Sequence, residues 1–185
     1  AGVSTENIVL LATNTITSGV ASSAFTSGIT STYPMYIFRY YNIHPATDGA
    51  SGFAFQVSID GGSNYNVACT STFFRAYHDE SDSETQLGYE TNHDQAQGTG
   101  YQAIVANVGN DNDQNCAGEL HLFNPSSTTY VKHFYLTANT VQSNDYQSNA
   151  YVGGYFNTTS AVNAISFKMK SGNIDAGKIK MWGVK

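Results

Sequence analysis

GFAFQVSIDGGSNYNVACTSTFF, residues 52–74, decides the fold class. Phe53, Phe55, Val57 and Ile59 alternate with Ala54, Gln56 and Ser58, the period of two that puts alternate side chains on opposite faces of a strand. Asp60-Gly61-Gly62-Ser63 interrupts the pattern with residues that reach positive φ at little steric cost. Tyr65, Val67, Cys69, Ser71 and Phe73 then resume it. Two alternating runs around a paired-glycine turn predict a β-hairpin.

The same pattern extends in both directions. Upstream, Tyr36, Phe38 and Tyr40 share one face, and Ile37, Arg39, Tyr41 and Ile43 the other, before a loop over Asn42–Gly52. Downstream, strands are expected over Tyr101–Val108, Gly118–Phe123, Tyr130–Thr140, Tyr151–Asn157, Ala164–Met169 and Lys178–Val184, with a turn at Asn124–Ser127. From His78 to Gly100 the period lapses into a polar, acidic stretch that reads as a long functional loop. Thirteen Tyr and ten Phe favour pleated sheets, and charged residues make up only 12%, about half the usual share. The fold expected is all-β, an antiparallel, jelly-roll-like β-sandwich of about 8–10 strands. Residues 31–185 form the single sandwich domain, and residues 1–30 form an N-terminal arm, docking on a neighbour, or the first strands.

Charge is distributed unevenly. Residues 1–131 hold two basic side chains, Arg39 and Arg75, against twelve acidic ones, whereas residues 132–185 hold six lysines against two aspartates. If Ser171–Gly177 closes a hairpin, Lys168, Lys170, Lys178 and Lys180 share one outward face with Trp182. That face is either an edge that discourages aggregation or a basic patch for the acidic face of a neighbour. A net charge of −6 argues against nucleic acid. No apolar run reaches the ~18 residues of a membrane span, so no membrane insertion is expected. The N-terminus carries no leader pattern.

Catalytic signals are sparse. His44, His78, His93, His121 and His133 have no metal-ligand spacing, and no nucleophile elbow or phosphate loop occurs. Glu119 is the one glutamate within an expected strand and is the residue on which a jelly-roll hydrolase would depend. Asp79, Glu80, Asp82 and Glu84 read as a solvated loop. Asp111 and Asp113 alternate with asparagines as in a calcium loop but lack the glycine and the bidentate glutamate of an EF-hand. Calcium at that pair is the only cofactor the pattern admits. Cys69 and Cys116 are read as two free thiols in preference to a bridge. Glycan binding needs aromatic faces flanked by amides and carboxylates, and Tyr89, Tyr101, Asn144, Asp145 and Tyr146 are the candidates.

Several stretches resemble a family of small all-β structural proteins of tailed phages of marine bacteria. They are YIFRYYNIHPAT (36–47), TFFRAYHDE (72–80), DQAQGT (94–99), GELHLFNPSSTTYVKHF (118–134), GYFNTTSA (154–161) and ISFKMKSGNIDAGKIKMWGV (165–184). The resemblance implies a non-enzymatic virion protein, assembled in the host cytoplasm and exposed on the particle as a capsid decoration or small tail or fibre appendage. Its partners would be other virion proteins and copies of itself in a symmetric homo-oligomer, a trimer being favoured. The alternative is a receptor- or carbohydrate-binding module of a tail fibre engaging a host-surface glycan.

Overall fold

A computed structural model describes residues 7–49 and 52–185. It contains thirteen strands and, among the described residues, no helix. They are β1 (Ile8–Ile16), β2 (Ser23–Phe25), β3 (Met35–Pro45), β4 (Phe53–Ser58), β5 (Cys69–Asp79), β6 (Thr85–Tyr89), β7 (Gln95–Gly98), β8 (Gln102–Ala103), β9 (Cys116–Phe123), β10 (Lys132–Val141), β11 (Tyr146–Phe156), β12 (Ala164–Met169) and β13 (Ile174–Val184). A nine-stranded sheet runs β1-β13-β3-β9-β10-β11-β5-β6, with β7 also on β5, and a four-stranded sheet runs β2-β12-β4-β8. Every ladder is antiparallel.

Eight of these strands wind between the sheets, alternating except at β4 and β8, which both lie in the small sheet. Their orders, β1-β13-β3-β9 against β2-β12-β4-β8, match the winding of a jelly roll. The other five extend the larger sheet. β5, β6 and β7 are inserted between β4 and β8, and β10 and β11 between β9 and β12. Aromatic rings join the layers: Phe38 meets Phe167 at 5.7 Å and Tyr40 meets Phe53 at 5.5 Å, while Phe55 lies 5.2 Å from Phe134 and 5.8 Å from Phe156. Tyr36, Phe38 and Tyr40, Phe53, Phe55 and Val57, and Ile165, Phe167 and Met169 are buried, but Ile59, expected on the Phe53 face, is 42% exposed, and Ile43, expected opposite Tyr40, is buried past a register shift after Tyr40.

Two expected hairpins are corrected. The Asp60–Ser63 turn forms, with Gly61 and Gly62 at φ 74° and 92° and Asp60 accepting the Asn64 N–H at 2.9 Å. It nevertheless joins β4 of the small sheet to β5 of the large one, because Val67, Cys69 and Phe73 are buried in the core that both sheets share. Likewise β12 pairs with β2 and β4, whereas β13 pairs with β1 and β3. Turn chemistry fixes where the chain reverses; the apolar face then selects the sheet. The strand count also exceeds expectation, because the polar 78–100 stretch supplies β6 and β7, and residues 8–25 supply first strands to both sheets. Residues 1–6 of the expected arm lie outside the described residues.

Gln56 explains why β4 is buried on both faces. Its outward amide donates to Val67 O (3.1 Å), Thr99 O (3.2 Å) and Gly100 O (2.8 Å), pinning two loop segments over the small sheet. Cys69 and Cys116 are buried and free, and burial pushes both thiols up, Cys69 to about 12.

Candidate functional site

The inserted strands carry the larger sheet past the smaller one, and its inward face there changes character. Along β5 that face reads Cys69, Ser71 and Phe73 in the core, then Arg75, Tyr77 and Asp79. Register places Ala150, Ser148 and Tyr146 of β11 beside the last three, and Gly88 and Gln86 of β6 beside Arg75 and Tyr77. Beyond the shared core this becomes a shelf, on which Arg75, Tyr77, Glu84, Gln142, Asn144 and Tyr146 line a 230 Å³ cavity. Asn144 and Tyr146 also border a 510 Å³ cavity reaching Asp79, Glu80 and Asp145.

One carboxylate organises the shelf. Tyr77 Oη shares its one proton between Gln86 Oε1 at 2.7 Å and Glu84 Oε1 at 3.0 Å, and Tyr146 Oη donates to Glu84 Oε2 at 2.7 Å. The two rings meet edge to face, 5.3 Å apart. Glu84 pushes the Tyr146 phenol up to about 12, so it remains a donor at neutral pH. Arg75 lies 5.0 Å over the Tyr77 ring while its Nε donates to Glu90 at 2.7 Å. Asp79 serves the backbone instead, accepting from the Ser81 and Ser83 hydroxyls and from the Ser83 and Glu84 N–H groups. Those bonds, Ser81 foremost, hold its carboxyl well below the usual range and shape the β5–β6 turn.

Gln142 sits at the end of β10. Its backbone closes the hairpin, donating to Tyr146 O (2.9 Å) and accepting from Asp145 N (3.0 Å). The residue is only 6% exposed, yet its side-chain Nε2 has no partner in the protein. A buried unpartnered donor costs about 1–3 kcal/mol, and among the described residues His93 Nδ1, Asn107 Oδ1, Asn149 Oδ1 and Trp182 Nε1 are unpartnered as well; of these groups Gln142 is the one that lines this cavity. The loop before β9 supports the hairpin tip, with Gln114 Nε2 donating to Asp145 Oδ1 at 3.2 Å and Asn107 Nδ2 to Ser143 Oγ at 3.5 Å.

Of the glycan candidates, Asn144, Asp145 and Tyr146 meet at this shelf. The other two lie elsewhere. Tyr89 sits opposite Phe74 on the outer face of β5–β6 with its hydroxyl on Asp94, and Tyr101 packs near Tyr65 under Lys168 outside the small sheet. Arg75, Tyr77, Glu84 and Gln142 were not among the candidates. For Arg75 and Tyr77 the signal was the period of two continuing from Phe73 into polar residues; Glu84 and Gln142 carried none.

The lysine face is a correction. Lys168 belongs to β12, and Lys170, just beyond it, bonds through its N–H to Gly52 O; Lys178, Lys180 and Trp182 lie on β13 in the other sheet. Lys168 Nζ lies 5.0 Å from the Tyr101 ring and Lys180 Nζ 5.9 Å from the Tyr41 ring. Glu119 bridges Arg39 Nε at 3.0 Å and His121 Nε2 at 2.8 Å. The His121 bond foremost, with Arg39, holds its carboxyl below the ordinary value, the setting of a bridging carboxylate rather than a proton donor. At the calcium candidates, Asp111 O lies 3.3 Å from His44 Nε2, and the Asp111 N–H donates to Gln114. Among the described residues no three His, Cys, Asp or Glu side chains converge as a metal site.

No protein-family model matches the chain, and no curated protein is similar enough to count as a relative. A solved structure from Bacteroides ovatus, described as a structural genomics protein of unknown function, aligns with a TM-score of 0.31 and 7% identity. The alignment covers 54% of this chain and 44% of that one, so the chain spans less than half of that protein. A likeness this loose carries no argument.

Proposed function

We propose that this chain is a non-enzymatic surface module of a tailed-phage particle that attaches through carbohydrate, with the shelf as its glycan site. The observation that carries the reading is the unpartnered Gln142 amide, set in a cavity with two tyrosine rings, an arginine and a carboxylate. These groups match a sugar: amide and guanidinium donors for its oxygens, Glu84 as acceptor for its hydroxyls, and aromatic rings for its C–H face. Asp79, Glu80, Asp82, Glu90 and Asp145 crowd the same end of the sheet, which favours uncharged glycans over uronates or sulfated chains. The particle setting rests on the resemblance over residues 36–184.

A glycan array probed with the wild-type chain and with Tyr146→Ala tests the reading. Neutral glycans are expected to give signals that the substitution removes; an array blank for the wild type overturns the assignment. A second reading, assembly through protein contacts alone, draws support from β1, an edge strand that among the described residues pairs only with β13 and leaves Ile8 and Leu10 about half exposed. Truncation to residue 17 followed by measurement of incorporation into particles separates the two, because the shelf does not include β1.

A further inference from the structure

Lys132, the first residue of β10, is fully buried. Lysine is almost never buried without a carboxylate, because desolvating an ammonium is costly. Here Nζ donates instead to two main-chain oxygens, Tyr130 O at 2.7 Å and Thr158 O at 3.1 Å. One cation thereby ties together two separate segments, the connection before β10 and the connection after β11.

Those segments wall a cavity of 760 Å³, with Tyr130 on one side, Thr159 on the other and Phe123 and His133 of the outer sheet face between them. Tyr130 is 74% exposed, yet its main chain is held at both ends: the N–H donates to Ser127 Oγ at 3.2 Å, and the carbonyl accepts from Lys132. An exposed ring on a pinned backbone is a preorganised anchor that loses little freedom when a ligand lands on it. No Asp, Glu, Lys or Arg lines the cavity; its polar lining includes Asn124 and His133, the ring of the latter lying 6.0 Å from that of Tyr155. The cavity therefore offers an aromatic face and polar groups with no carboxylate, ammonium or guanidinium among them.

We propose that this cavity is a second carbohydrate site, in which Tyr130 stacks on the C–H face of an uncharged pyranose and Asn124 and His133 bond its hydroxyls. Lys132 is a positioning residue that holds the anchor. The site does not rest on the shelf: it lies at the opposite end of β10, a ten-residue strand about 30 Å long, and on the opposite face of the sheet.

Saturation-transfer NMR with the methyl pyranosides of glucose, galactose, mannose and N-acetylglucosamine tests it on the full chain. At least one sugar is expected to receive saturation on its ring C–H face. Tyr130→Ala should weaken that binding about tenfold or more, whereas Tyr130→Phe keeps the stack and most of the affinity. Lys132→Met keeps the volume and removes the ammonium; it should weaken binding at Tyr130 several-fold while leaving any Tyr146-dependent binding unchanged. Transfer to none of the four sugars, or transfer that Tyr130→Ala leaves intact, overturns the proposal. Failure of the shelf reading is separately visible, as indifference to Tyr146→Ala alone.

Discussion

Gln142→Met should make the protein more stable and less able to bind. The residue is 6% exposed and its Nε2 has no protein partner, so folding strips water from a donor and returns nothing. Methionine has similar length and volume and no polar group to desolvate. The penalty relieved is about 1–3 kcal/mol. For a chain of this size each kcal/mol moves Tm by about 2–4 °C, so a rise of about 2–12 °C is expected in scanning calorimetry. The backbone hydrogen bonds of Gln142 to Tyr146 and Asp145 do not depend on the side chain and persist. Gln56→Met supplies the opposite sign. That buried amide donates to three carbonyls, so the same replacement should destabilise by about 2–5 kcal/mol. A fall in Tm for Gln142→Met comparable to that for Gln56→Met would refute the reasoning, since it would mean the Gln142 amide supports the fold.

Phe55→Ala removes the ring that touches Phe134, Phe156 and Phe167, and should cost about 3–5 kcal/mol in urea unfolding. Gly118→Ala sets a Cβ against Thr137 O and 2.8 Å from Ala138 Cα, forcing β9 and β10 apart; a loss of about 1–3 kcal/mol is expected in the same assay. His44 supplies a pH dependence. Burial lowers its pKa, but the Asp175 hydrogen bond at 2.7 Å and the Asn110 and Asp111 carbonyls outweigh that and raise it overall. The contribution is therefore fully present below the unfolded value of about 6.5 and lost as pH rises through the folded value. Tm measured from pH 6 upward should fall more steeply for the wild type than for His44→Gln.

How much of this was legible in the sequence depends on which force decided each feature. Alternation is a local property, so the shared faces of Tyr36–Tyr40 and Phe53–Val57 could be read directly, whereas the shift after Tyr40 that buries Ile43 and the end of β4 that exposes Ile59 could not. Sheet membership is not local. Asp60–Ser63 and Ser171–Gly177 carry good turn chemistry, yet in a wound sandwich the next strand belongs to the other sheet, so neither turn closes a hairpin. Reading a hairpin there puts four lysines on one face, whereas the fold splits them between two sheets. At the shelf, Asn144–Tyr146 stood out because amide, carboxylate and aromatic are adjacent in sequence. Arg75 and Tyr77 did not, because they become a site only where the large sheet outruns the small one. Gln142 could not have been found at all, since an unpartnered buried donor exists only once the surroundings are folded.

Nitrogen-edited NMR of the Gln142 side-chain amide during titration with a neutral glycan that binds the chain tests the glycan assignment most directly. The Nε2 resonances should shift with the same saturation curve as the bound sugar, and Tyr146→Ala should abolish both. A glycan that saturates the protein while the Gln142 amide stays unmoved would contradict the shelf as the site of attachment.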